Sequence, residues 1–206
     1  MTAPTITIDY YVSMNSPWVY LGGQAFLNLV AKTGVTVRTK PTKFAEVFAA
    51  TGGLPLPKRA PERQAYRLME LKRWRDRRGA PINIEPQYFP ADETAGARAV
   101  IAAASQGYDA ARLTLEIGRE VWERDTNIAE EAVLATAAKR AEIPFKDINV
   151  KDGDHGHLDE VWEANTTEAI ARGVFGAPSY VFEDGEIFWG QDRLSFVEAK
   201  LKALIS

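Results

Sequence analysis

"GVFGAPSYVFEDGEIFWGQDRL", Gly173–Leu194, is the stretch on which the reading of the fold turns. Ser179–Phe182 is a short apolar run and Glu186–Trp189 a second one. Asp184-Gly185 between them is hairpin chemistry, because glycine tolerates the positive φ of a tight turn. Pro178 heads the first run. Proline inside a sheet is confined to a strand's first residue or an irregularity, since it has no N–H to give the ladder. Asp192 to Ile205 reads as a helix, with Asp192 as its N-cap and Leu194, Val197, Leu201 and Leu204 on one stripe. The chain therefore ends β-β-α.

The other end supplies the complement. From Thr5 to Val12, Ile6, Ile8, Tyr10 and Val12 alternate with Thr5, Thr7, Asp9 and Tyr11, the period of a strand. Ser16-Pro17 follows as a cap and a first helical residue, and the helix runs to Lys32, where Thr33-Gly34 stops it. Val35–Pro41 alternates again. A β-α-β unit of this kind favours a parallel pair with a right-handed crossover.

Between the two ends the chain is helical. Lys43–Ala50 is a short helix and Gly52–Pro61 a loop by its prolines and glycines. Helices are then expected over Glu62–Arg78, Asp92–Gln106, Asp109–Arg124, Ala129–Ala141 and Asp159–Arg172. Joined across this block, the ends give the order β-α-β, α, β-β-α. This is an α/β fold: a thioredoxin-like domain (1–44 and 158–206) carrying a large all-helical insertion (45–157).

Composition narrows the function. The chain has 206 residues, 46% hydrophobic and 26% charged, enough for a packed core. The formal charge is −3, which argues against nucleic-acid or membrane-surface binding. There is no cysteine, so disulfide exchange, a thiolate metal site and a protein-borne thiol nucleophile are excluded. Met1–Thr7 lacks a signal-peptide pattern and no apolar run could span a bilayer, so a soluble cytoplasmic protein is expected.

Three places could carry chemistry. Ser16 begins a helix directly after the first strand, where unpaired N–H groups and the positive dipole end stabilise an anion. An ordinary N-cap accounts for the serine equally well. In the thioredoxin order Ala177–Pro178 falls at the cis-proline loop, exposing the Ala177 backbone to an extended peptide; a trans proline at a strand start needs no topology. Gln191 and Asp192 sit where a helix end could grip a carboxylate and an ammonium group, while capping alone would explain Asp192. His155-x-His157 falls in a Gly/Asp loop and lacks the partners of a metal site. "LKRWRDRR", Leu71–Arg78, reads as a solvated basic helix face.

Several stretches together resemble the 2-hydroxychromene-2-carboxylate isomerases, glutathione-dependent relatives of kappa-class glutathione transferases within the DsbA-like thioredoxin superfamily. They are Ser16-Pro17-Trp18 with Tyr20-Leu21, Pro61-x-Arg63-x-x-Tyr66, Glu70-Leu71-x-Arg73-Trp74, Ala171–Pro178 and Trp189–Leu194. The resemblance implies that Ser16 contacts the sulfur of glutathione and that Ala177, before Pro178, pairs with its cysteinyl backbone. It further implies that Gln191 and Asp192 hold the γ-glutamyl end, that Arg63 meets a carboxylate, and that the molecule is a homodimer. Trp18 and Trp74 become candidate walls for a small aromatic carboxylate substrate, although core packing explains them as well. Three positions depart from the family: Ser13, often Asp; Gly53, often Asn; and Arg63, often Lys. A kappa-like transferase and a redox-inactive peptide-binding module remain as alternatives.

Overall fold

The computed structural model of the protein describes residues 6–149 and 155–205. Strand β1 (Thr7–Val12) leads to helix α1 (Pro17–Thr33) and strand β2 (Thr36–Pro41). Seven helices follow: α2 (Phe44–Thr51), α3 (Pro61–Arg78), α4 (Thr94–Ser105), α5 (Ala110–Trp122), α6 (Glu131–Arg140), α7 (Phe145–Ile148) and α8 (His155–Ala171). Strands β3 (Ser179–Phe182) and β4 (Ile187–Trp189) and helix α9 (Leu194–Ile205) close the described chain. The sheet order is β2-β1-β3-β4, with β1 parallel to β2 and antiparallel to β3. The thioredoxin-like topology read from the two ends is thus the one observed.

The sheet is covered on both faces. Ile8, Tyr10, Val12, Tyr180 and Phe182 meet Phe26 and Leu29 of α1 and Leu194, Val197 and Leu201 of α9. The rings of Tyr10, Phe26 and Tyr180 lie 4.5 to 5.2 Å apart, each pair adding about 0.5–1.5 kcal/mol beyond its buried area. On the opposite face Tyr11 and Val181 pack on Phe44 and Val47 of α2 and Ala169 of α8. A third core joins α1 to the helical block through Tyr20, Leu21, Leu71, Ile117 and Trp122.

Double coverage buries both sets of alternating β1 side chains. Asp9 and Tyr11 are buried along with Ile8 and Tyr10. Asp9 is tolerated because Arg38 clasps it in a two-pronged pair (2.7 and 2.9 Å), Lys40 stands at 3.2 Å, and Arg172 donates to its other oxygen. Burial works against its charge, but the three cations outweigh that cost and hold its pKa below the usual carboxylate value. Thr5, the expected first residue of the strand, lies outside the described residues.

Element ends differ where a local signal had a rival. Glu93, expected in the first turn of a helix from Asp92, is instead the N-cap position of α4. The His-x-His segment forms the first turn of α8 rather than a loop. Asp192 is no side-chain cap: Gln191–Arg193 is a single 3-10 turn leading into α9. Phe145–Ile148 is a short helix with no counterpart in the sequence reading, too brief for its periodicity to register.

Candidate functional site

Ser16 has extended backbone and caps α1, its Oγ accepting from the Val19 N–H at 3.3 Å. Pro17 has no N–H, and the Tyr20 N–H is taken by the Ser16 carbonyl at 3.2 Å. The Trp18 N–H is left without a partner among the described residues, and it lies at the positive end of a helix of 17 residues. The same Ser16 hydroxyl donates to the Ala177 carbonyl at 3.4 Å, a long and therefore easily exchanged bond. The helix start and the loop before β3 thus meet at one hydroxyl.

The Ala177–Pro178 bond is cis. The Pro178 carbonyl accepts from Gly190 N at 2.9 Å, so the loop is fastened to the end of β4. Among the described residues the Ala177 N–H has no partner, leaving the edge open to an extended chain. Phe175 and Trp189 flank this edge, their rings 4.7 Å apart and both about half exposed. A side chain at Gly176 would run into the Trp189 indole, so only glycine permits that pair.

Ser13, one of the three departures, and Asn15 are held by the segment before α4. Ser13 Oγ donates to Glu93 at 2.7 Å, and the Asn15 N–H donates to the same carboxylate oxygen at 3.1 Å. The Asn15 amide pairs both ways with the Ala91 backbone, at 2.9 and 3.0 Å. Burial raises the Glu93 pKa, opposed by the bonds from Ser13, Asn15 and Met14. Glu93 thus places a buried carboxyl group directly beside Ser13 and Asn15. At Gly53, a Cβ would come within 2.6 Å of the Phe48 ring, so no side chain fits there without displacing it.

At the start of α9 the arrangement differs from expectation. Gln191 is buried, and its amide oxygen accepts from Arg78 twice, at 3.0 and 2.8 Å. Arg78 also takes the Gln191 backbone carbonyl at 2.8 Å. A Cβ on Gly22 would lie 2.5 Å from the Gln191 Cβ, so α1 and this turn touch backbone to side chain. Gln191 is chiefly a brace between α1, α3 and α9, with only its amide N–H groups left to donate outward. Leu71–Arg78 is a solvated face only in part: Lys72, Arg73, Asp76 and Arg77 are exposed, while the other side turns inward. Leu71 is fully buried, and Arg78 lies over the Trp74 ring at 5.3 Å. Burial pushes the Arg78 pKa down.

Asp192 borders a cleft of about 290 Å³ with Trp74, Arg77, Arg78, Ala25 and Leu29. Its carboxylate is partly exposed, with Arg193 at 3.3 Å. Trp18 packs partly buried on the helical core. The structure thus brings Ser16, Ala177 and Pro178 together, joins Pro178 to Gly190 just before Gln191, and places Asp192 in a cleft farther along α1, beside Ala25 and Leu29. Arg63 stands exposed on α3, and its guanidinium makes no hydrogen bond or ion pair among the described residues. A model of the DSBA-like thioredoxin domain matches residues 7–202.

The chain belongs to the DSBA-like thioredoxin family. The 2-hydroxychromene-2-carboxylate isomerase of Sphingobium xenophagum is 27% identical over 198 residues, covering 96% of this chain and 98% of that protein. Glutathione S-transferase kappa 2 of Caenorhabditis elegans is 26% identical over 201 residues, covering 91% and 88%. A solved structure of 2-hydroxychromene-2-carboxylate isomerase superposes with a TM-score of 0.74 at 24% identity, covering 97% of this chain and 96% of that one.

Proposed function

We propose that the protein is a glutathione-dependent isomerase acting on a 2-hydroxychromene-2-carboxylate-type substrate. The observation that carries this reading is the Ser16 hydroxyl, poised between the unpartnered Trp18 N–H side of the α1 start and the Ala177 carbonyl. The chain has no thiol, yet it retains the anion-favouring helix end of a thiol fold.

The residues present fit glutathione. The open N–H of Ala177 suits the cysteinyl backbone of an extended tripeptide, and Asp192 suits the γ-glutamyl ammonium. Ser16 is placed to exchange its long bond to Ala177 for a sulfur. When bound, glutathione supplies a thiolate that adds reversibly to a conjugated carbon, so that a double bond becomes single, rotates and re-forms. The protein's part is to favour that anion. A pKa drop of one unit needs about 1.4 kcal/mol, within reach of one hydrogen bond to a charged group together with a helix end. Ser16 donates the hydrogen bond, the α1 dipole supplies the field, and the half-exposed Phe175–Trp189 pair screens one side of the edge from water.

The likeness to a kappa-class transferase supports a second reading, in which glutathione is consumed rather than returned. Product analysis separates them. Incubation with 2-hydroxychromene-2-carboxylate and glutathione gives trans-o-hydroxybenzylidenepyruvate with total glutathione unchanged if the protein is an isomerase. A stoichiometric thioether product would make it a transferase.

A further inference from the structure

Arg67 is a guanidinium without an acid. On α3 it is half-buried, lies over the rings of Phe89 (5.5 Å) and Trp122 (5.9 Å), and makes no hydrogen bond or ion pair among the described residues. Its nearest charged influence is another cation, Arg59, whose own Nε is occupied by the Leu54 carbonyl at 2.7 Å. Burial and that repulsion push the Arg67 pKa down to about 10. Buried charge of this kind is ordinarily paired, because withdrawing it from water costs more than packing returns. The Trp122 indole N–H beneath it is also buried and unpartnered. Two donors thus meet here, and among the described residues no acceptor receives either.

Two independent contacts put this spot level with Ser16. Phe89 is two residues from Ala91, whose backbone pairs with Asn15, the neighbour of Ser16. Helix α5 runs against α1, Gly118 facing Tyr20 and Leu115 facing Gly23. Trp122 is about one turn beyond Gly118, so it falls level with the first turn of α1.

We propose that Arg67 anchors the carboxylate of an aryl-substituted unsaturated acid, with the ligand's ring laid along Phe89 and its conjugated chain directed to the Ser16 end. A planar guanidinium matches a carboxylate with two parallel hydrogen bonds, and the aromatic floor that carries the arginine suits a flat ligand. This role moves the carboxylate contact from Arg63, one turn earlier and exposed, to Arg67. The identity of the ligand rests on the isomerase reading above; the missing acid partner does not.

The test is a calorimetric titration, without glutathione, of the whole protein with trans-cinnamate and with its neutral isostere cinnamamide. Cinnamate should bind the unaltered protein about tenfold to a hundredfold more tightly, the range of a hydrogen-bonded charge. R67M should abolish that preference, and R63M should keep it. R67K, which retains the stem on Phe89 but not the fork, should reduce it and serves where R67M does not fold. Equal binding of the two probes by the unaltered protein overturns the proposal, as does a preference undiminished in R67M or R67K. Because glutathione is absent from the titration, a failure of glutathione-dependent turnover would count against the isomerase reading alone.

Discussion

On the proposed isomerase function Ser16 has two duties that one substitution can separate. As an N-cap it satisfies the Val19 N–H, and its loss should cost about 1 kcal/mol of stability. As a sulfur partner its loss should raise the thiol pKa of bound glutathione by about one unit, equivalent to the loss of one charged hydrogen bond. Ultraviolet titration of the thiolate in Ser16→Ala checks the second effect and thermal unfolding the first. Full turnover in Ser16→Ala would leave only the cap. Asp9 is a structural counterpart. Its folded pKa lies below the unfolded one, so its contribution is present above the ordinary carboxylate value and is lost as pH falls through the folded value. Asp9→Asn should cost about 3 kcal/mol at pH 7, the low end for a broken buried pair because Arg38 keeps about half its side chain in water. Denaturant melts of the two proteins should converge as pH drops below about 4.

At the scale of elements, α1, α3 and the turn before α9 meet at one tightly packed junction. Gly22 lets Gln191 approach, and Arg78 holds Gln191 from the other side. Gly22→Ala should destabilise the fold by about 1–3 kcal/mol, as overpacking does, and weaken glutathione affinity more than it changes turnover of the bound complex. Equilibrium unfolding and a glutathione titration read the two effects. Residue patterns exposed this junction only in part. Ser16-Pro17, the Asp184-Gly185 turn and the proline heading β3 are local signals, so strand, helix and loop could be placed from neighbouring residues alone. The Arg78–Gln191 and Glu93–Ser13 bonds join residues 113 and 80 positions apart, and no spacing rule reports such a pair. The basic run at Leu71–Arg78 looked solvated because its charges hid a buried face: Leu71, Trp74 and Arg78 recur every three or four residues. That periodicity was the available signal. The paired roles of Ser13 and Asn15 had none, since their partners sit before α4.

The whole molecule is a thioredoxin-like sheet whose ends are assembled from both termini of the chain and closed by helices on each face. Its order was readable because strands and helices change period clearly at the two ends. The double coverage of β1 was not, because alternation with Thr and Asp imitates a strand exposed on one side, and only the distant Arg172 and Glu168 reveal the second buried face. A ligand held by the native state alone stabilises it, so glutathione at a hundred times its dissociation constant should add about 2.7 kcal/mol against unfolding. No shift in melting temperature at millimolar glutathione would speak against the site. The central claim is tested most directly by the rate of 2-hydroxychromene-2-carboxylate isomerisation measured with and without glutathione, together with the glutathione recovered afterwards. Turnover should require glutathione and return all of it; turnover independent of glutathione, or one glutathione lost for each product formed, would rule the isomerase out.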